Sequence, residues 1–404
     1  MAKTYADLDS LTSSILYAYI RSMAPPRNAF THLYIPVTNT ARSGIQLRPE
    51  FLALLPHASI EPQHLITLDD LPDMSTIQSS LPPENTKWIL VDHNALQGRL
   101  GQTYSERVGG VIDHHEDEKK VPSETGSEPR VIKKAGSCTS LVTEYCQAPW
   151  DSLAVSSMSS DAANAHGDDL SDDGAVAKLW DAQVAQLGLA SILIDTANLQ
   201  SKDKTTEQDI RAVEYLEAKI MNHPQLSAKY TRNKFFDEID SARRDIGGLK
   251  LQDILRKDYK QWDEGKLKLG ISAVVKPIKF LQRKAGDEAD AHSFKPANEA
   301  FPQALQTFSE ARDLELYAIM TTSTSPEGDF QRELFVWAFT AEAKSALMKF
   351  ASSAREELGL EDWVDSNGKP HEDEGEGHWR KIWWQRNVQH SRKRVAPLLR
   401  ESMS

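Results

Sequence analysis

The chain has 404 residues, enough for two domains at the usual ~100–200 residues each. Hydrophobic residues make up 40% and charged residues 26%, an ordinary globular balance, and no apolar run reaches the ~18 residues a membrane-spanning helix needs. Lys and Arg number 47 against 59 Asp and Glu, a net charge of −12; this argues against a general nucleic-acid binder but leaves room for a local site that takes anions.

The opening, Met1 to Asp7, lacks the apolar core of a secretory signal. Two cysteines, Cys138 and Cys146, cannot staple a chain of this length, so a soluble protein of the reducing cytoplasm is expected. In chain order, residues 10–22 read as a helix and 32–37, 65–71, 87–93 and 108–115 as brief strands, with a helix over 138–147. This alternation predicts an α/β first domain over 1–225 with a largely parallel sheet flanked by helices. The Ser- and Asp-rich stretch near 151–174 has no apolar periodicity and is expected to be a disordered acidic insertion. Ile210, Val213, Leu216 and Ile220 recur at spacings of three and four and predict a helix with one buried face. A smaller α/β domain is expected over 234–404, with a helix at 234–246, strands at 267–275, 315–323 and 334–340, a helix over 341–358, and a second acidic insertion near 365–377. From 378 to 400 the chain carries seven Lys and Arg and no acidic residue.

Four groups of chemistry-bearing side chains fall in the first domain. Asp7 and Asp9 precede a helix and read as caps or as ligands for two cations. Asp92-His93-Asn94 follows one apolar strand and Asp113-His114-His115-Glu116 another, at the strand ends where open α/β sheets bind ligands. Asp195 sits in the apolar stretch Ser191 to Asn198, where a carboxylate is costly to bury unless paired or bound to a cation. Carboxylates and imidazoles together suit a divalent transition metal.

Taken in order, Asp7-Leu8-Asp9-Ser10, Val91-Asp92-His93-Asn94, Ile112-Asp113-His114-His115 and Ile192-Leu193-Ile194-Asp195-Thr196-Ala197-Asn198 resemble the motif series of the DHH phosphoesterase superfamily. The segments from Ala135 to Leu141, Leu251 to Gln261 and Ser391 to Pro397 look like those of fungal cytosolic exopolyphosphatases. The likeness spans nearly the whole chain apart from the two acidic insertions.

The resemblance implies a metal-binding first domain and a substrate-binding second domain shared with family II inorganic pyrophosphatases, with the active site in the cleft between them. It implies removal of terminal phosphate from inorganic polyphosphate, with no nucleic-acid or membrane partner, and two divalent ions: manganese first, magnesium or cobalt as alternatives. Asp7 and Asp9 match the carboxylates that separate the ions, Asp92 the one that bridges them, and His114 with Asp195 the remaining ligands. His115 matches the imidazole that faces the phosphate, with Asp113 behind the histidine turn. Asp92 and His115 are thus the expected catalytic pair. A pair of divalent ions makes water a nucleophile at neutral pH. In the second domain Lys260, Arg392 and Lys393 match cations that reach substrate phosphates, and Arg130, Lys133 and Lys134 extend the basic track by charge alone.

The likeness departs at Lys3, four residues before Asp7, where the family carries Asn or His at the end of a strand. Lysine has no acceptor for a cation, so the expectation is a missing upstream strand or a weakened first ion site. The alternative functions are an inorganic pyrophosphatase and a prune-like regulatory or binding protein. The Gly-Gly-Gly-His-like loop of the oligonucleotide-degrading branch is replaced by Gly375-Glu376-Gly377-His378, which argues against a nuclease.

Overall fold

The computed structural model describes residues 7–163, 171–290, 297–364, 370–375 and 378–403. Lys3 lies outside them. The fold divides into two compact units at Asp245/Ile246.

In the first unit, strands Trp88–Val91, Val108–Asp113 and Arg130–Ile132 form a parallel sheet in which Leu90 faces Val111 and Ile112 faces Val131. A separate parallel pair, Val37–Thr38 with Ile66–Thr67, is all that forms of the strands expected at 32–37 and 65–71. Pro36 removes a ladder donor from the first. In the second, Asp70 accepts from the Thr67 amide and hydroxyl at 2.7 and 2.8 Å and winds the chain into a short 3-10 turn. Helices Leu8–Met23, Cys138–Ala163, Ser171–Asp195 and Glu207–Met221 build the main core through Leu11, Leu16, Leu141, Trp150, Leu187, Ile192, Val213 and Leu216. Val213, Leu216 and Ile220 are buried as their spacing predicts, whereas Ile210, one turn earlier, is 43% exposed. Tyr17 donates to Glu128 at 2.8 Å, and Arg21 pairs with the same carboxylate at 3.4 Å, tying the first helix to the segment before strand Arg130–Ile132.

Two expectations are corrected here. The stretch near 151–174 is helical on both sides: one helix runs on to Ala163 and the next begins at Ser171, while 164–170 lies outside the described residues. A helix already nucleated and packed gains a hydrogen bond with each added residue, and alanines favour it, so lack of an apolar stripe does not stop it. The helix Arg232–Arg244, expected to open the second domain, instead packs Phe235 and Ile239 into the first unit's core.

The second unit carries a mixed seven-stranded sheet. Its neighbours run Leu360–Asp362, His378–Gln385, Glu333–Ala338, Leu316–Thr321, Leu267–Val274 and Tyr259–Glu264, with Glu372–Gly375 also paired to His378–Gln385. Only Leu267–Val274 and Leu316–Thr321 are parallel among these neighbours. Side chains alternate between two cores. Tyr317, Ile319, Phe335 and Trp337 face helices Ile278–Asp290 and Ala297–Glu310, whereas Leu316, Ala318, Leu334 and Val336 face Ala341–Ser353 and Arg392–Met403. The basic run after 378 begins as a buried strand: Trp379, Ile382 and Trp383 sit in the cores. The second acidic insertion supplies strand Glu372–Gly375, whose carboxylates meet Lys381 and Arg380 across the ladder.

Candidate metal centre

The site is assembled from chain ends in the first unit. Asp7 is the N-cap of the first helix and accepts from the Ser10 amide at 3.1 Å. Asp9, in the first turn of the same helix and buried, reaches across to the start of helix Cys138–Ala163. It accepts the amides of Cys138 and Thr139 at 2.6 and 2.9 Å and the hydroxyls of Ser137 and Thr139 at 2.7 Å each. It thereby caps a second helix N-terminus, where backbone donors favour a carboxylate.

Asp92 follows strand Trp88–Val91 in the left-handed region at φ 60°, a conformation that Asp tolerates better than most residues. Its amide donates to the Ile112 carbonyl at 3.0 Å and meets the Cys138 sulfur at 3.2 Å. Its carboxylate accepts from the Ser10 hydroxyl, which also contacts Asp7, and stands 3.3 Å from His114 Nε2 and 3.8 Å from His115 Nδ1. His114 Nε2 is in turn 4.0 Å from Asp9.

The two histidines are held differently. His114 Nδ1 lies 3.1 Å from the Ala135 carbonyl, which can only accept, so Nδ1 carries the proton and Nε2 faces the carboxylates. His115 donates its backbone amide at 3.1 Å and ring Nδ1 at 2.8 Å to Asp113, which leaves its half-exposed ring with Nε2 free of that bond. Asp113 is fully buried; burial alone would raise it, but the donors from His115 and Asn94 hold it below the ordinary carboxylate value.

Asp195 ends helix Ser171–Asp195, and the chain then turns through three consecutive left-handed residues, Ala197, Asn198 and Leu199. A helix C-terminus carries partial negative charge and disfavours a carboxylate. No hydrogen-bond donor reaches this one among the described residues, and burial with Asp9, Asp7 and Asp92 nearby pushes it well above the usual range. Burial, Asp7 and Asp9 likewise push Asp92 up to about 7, against the opposing pull of His114. Burial lowers His114, but Asp92, Asp9 and Asp195 outweigh it and raise the imidazole to about 9.

Crowded carboxylates that take up protons, beside an imidazole that keeps one, are a cluster short of positive charge. Ligand atoms of Asp92, Asp113, His114 and His115 lie within 4.8 Å of one another. Oxygen donors with imidazole nitrogen fit a divalent cation, and the orphaned Asp195 carboxylate has the same need.

Thus Asp7, Asp9, Asp92, His114, His115 and Asp195 are gathered in one unit. Lys260, Arg392 and Lys393 belong to the other. Arg392 is already engaged: it donates to the Asp258 carbonyl at 2.8 Å and carboxylate at 2.7 Å. Lys393 is exposed. Arg130 and Lys133, read from charge as part of a basic track, pair with Asp117 at 2.8 Å and Glu144 at 2.7 Å.

Sequence reasoning missed Asp209. This fully buried carboxylate accepts from Gly136 and Ser137 amides at 2.9 and 3.2 Å, from the Ser140 hydroxyl at 2.6 Å, and from Thr206 at its own helix start. It fixes the 136–140 turn that grips Asp9. The Thr206-x-x-Asp209 capping-box spacing was its only signal.

A Schizosaccharomyces pombe protein named "Putative exopolyphosphatase" is 29% identical over 401 residues, covering 98% of this chain and 88% of that protein. "Exopolyphosphatase PRUNE1" of Homo sapiens is 25% identical over 402 residues, covering 98% and 74%. A solved Methanococcus jannaschii chain, described as a "putative family II inorganic pyrophosphatase", shares the fold with a TM-score of 0.53 at 19% identity, covering 98% of this chain and 96% of that one. Residues 1–167 match the model of the DHH family N-terminal domain and 237–402 that of the DHHA2 domain. The chain thus carries a DHH-type N-terminal domain followed by a DHHA2 domain.

Proposed function

We propose that this protein is a divalent-metal-dependent exopolyphosphatase that removes terminal phosphate from inorganic polyphosphate. The observation that carries the reading is the convergence of Asp9, Asp92, His114 and His115 at two parallel strand ends, in a chain whose full-length relatives are named exopolyphosphatases.

Asp7, Asp9, Asp92, His114 and Asp195 would hold two ions, manganese being the first candidate. Divalent cations at such a site supply Lewis acidity and lower the pKa of water toward neutrality. The chain's own residues do the rest. Asp9, fixed by four donors from 137–139, holds its place without rotamer search. His115, steered by Asp113, presents Nε2 to the phosphoryl or leaving oxygen, where it stabilises charge or passes a proton. Lys260, Arg392 and Lys393 offer cations to the substrate phosphates, with Asp258 pre-orienting the Arg392 fork. Among the described residues no helix is long and apolar enough to cross a membrane, and two buried free cysteines suit a reducing cytoplasm.

The test is phosphate release from long-chain polyphosphate and from pyrophosphate, each with Mn²⁺, Mg²⁺, Co²⁺ or a chelator. Metal-dependent release with a preference for polyphosphate is expected. Preference for pyrophosphate would make the protein a pyrophosphatase. No release with any ion would move it to the regulatory, prune-like class.

A further inference from the structure

Among the described residues, the arginine that leads into strand Glu333–Ala338 has no counter-ion. Arg332, at the foot of strand Glu333–Ala338, is partly buried; its Nε donates to the Val388 carbonyl at 2.7 Å, and its guanidinium lies 5.1 Å from the Phe330 ring. Among the described residues no carboxylate comes within ion-pair distance, and neither Nη finds a protein acceptor. Its neighbours along the last strand and helix are all committed: Arg380 to Asp373, Arg386 to Glu361, Arg392 to Asp258, Arg394 to Glu357 and Arg400 to Glu264. Burial lowers the Arg332 pKa, and no acidic neighbour raises it back. A half-buried guanidinium with its fork unspent is a receptor for an oxyanion.

Its place in the sheet says which one. Strand Tyr259–Glu264 begins, Leu267–Val274 and Leu316–Thr321 end, Glu333–Ala338 begins and His378–Gln385 ends along the same edge, as the pairings Tyr259–Ser272, Val274–Thr321 and Glu333–Trp384 fix. The loop after Gln385 supplies Val388 and runs into the helix that starts with Arg392 and Lys393. Arg332 and the Asp258–Arg392 pair therefore share one edge of the sheet. The strand bearing Arg332 is three inter-strand steps, about 14 Å, from the strand that follows Asp258. Two phosphate groups do not span that interval; a chain of them does.

We propose that Arg332 is a substrate-binding residue that grips phosphate units of a polyphosphate chain remote from the unit being cleaved, and so sets a preference for long chains. The inference rests on the polyphosphatase reading above and adds to it a subsite and the length of substrate that fills it.

The experiment measures kcat and KM of the full chain with Mn²⁺ on long-chain polyphosphate and on tripolyphosphate, for the unaltered protein, Arg332→Gln, Arg332→Lys and the control Lys266→Gln. Lys266 lies in the turn at the opposite edge of the sheet. Losing a bidentate, charge-assisted contact should raise KM for the long chain roughly tenfold or more in Arg332→Gln. The kcat and the tripolyphosphate KM should stay within about twofold, a margin well inside one such contact. Arg332→Lys, which keeps the charge but loses the fork and the Nε that meets Val388, should fall between, and Lys266→Gln should match the unaltered protein. Equal loss on both substrates would mean that Arg332 merely holds the Val388 loop, and an unchanged long-chain KM in both arginine variants would overturn the proposal while leaving the activity intact. Absence of polyphosphate hydrolysis in the unaltered protein would bring down the functional reading itself.

Discussion

Asp195 and Asp92 are carboxylates that the metal-free protein is worse off for having. Among the described residues Asp195 has no hydrogen-bond donor and three acidic neighbours, so Asp195→Asn should raise the unfolding temperature measured in chelator, by roughly 2–4 °C for each kcal/mol of repulsion relieved. The same substitution should abolish the rise that Mn²⁺ gives the unaltered protein. A lowered unfolding temperature in chelator would mean that the side chain is a structural cap. The pH dependence has a definite sign. Folded Asp92 keeps a proton up to about 7 instead of 3.8, and folded His114 up to about 9 instead of 6.5. In both windows the native state binds more protons than the unfolded chain, so the contribution of these groups to metal-free stability falls as pH rises. Thermal scans in chelator should therefore show a decline across those windows that is shallower in Asp92→Asn and removed by excess Mn²⁺. At this scale the sequence was informative, because ligand-type residues adjoin apolar strands and carry their own chemistry. Asp209 escaped notice because an acid in a helix's first turn is ordinary; its importance lies in the backbone amides it meets some seventy residues away.

Among the elements, the turn at 136–140 is the one on which the site leans. A Cβ at Gly136 would stand 2.7 Å from the Asp209 carboxylate, 2.8 Å from Thr196 and 2.9 Å from the Lys204 carbonyl. Gly136→Ala should displace the turn and with it the donors to Asp9, weakening metal affinity in calorimetric titration of the metal-free protein. Asp209→Asn should act in the same direction and cost about 1–3 kcal/mol of stability, since it replaces an acceptor for several buried donors. Unaltered metal affinity in both would show that Asp9 is positioned without the turn. The strands that lead to Asp92 and end at Asp113 were legible, as both are apolar runs closed by polar residues. Those at 32–37 and 65–71 shrank because a proline and an aspartate turn, not hydrophobicity, decide where their ladders stop. The strand His378–Gln385 was hidden because it falls inside a run read only for its basic charge, while its Trp379, Ile382 and Trp383 fill the cores.

For the molecule as a whole, each unit has its own core, and the acid–imidazole cluster belongs to one of them. Scanning calorimetry should resolve two transitions, of which only the one for 6–245 moves up when Mn²⁺ is added; a common shift of a single transition would show that the units unfold together. The division at Asp245/Ile246 could not be read from composition, because helix Arg232–Arg244 is polar overall and only the burial of Phe235 and Ile239 reveals its allegiance. The acidic strand Glu372–Gly375 has a further consequence. It occupies part of the outer rim of the seven-stranded sheet and presents Glu and Asp side chains where an incoming backbone would otherwise dock. Replacing those acids with amides should weaken the ion pairs to Lys381, Arg380 and Lys344 that hold this strand against the rim and leave a bare edge for chain-to-chain association, visible as light scattering well before the protein melts.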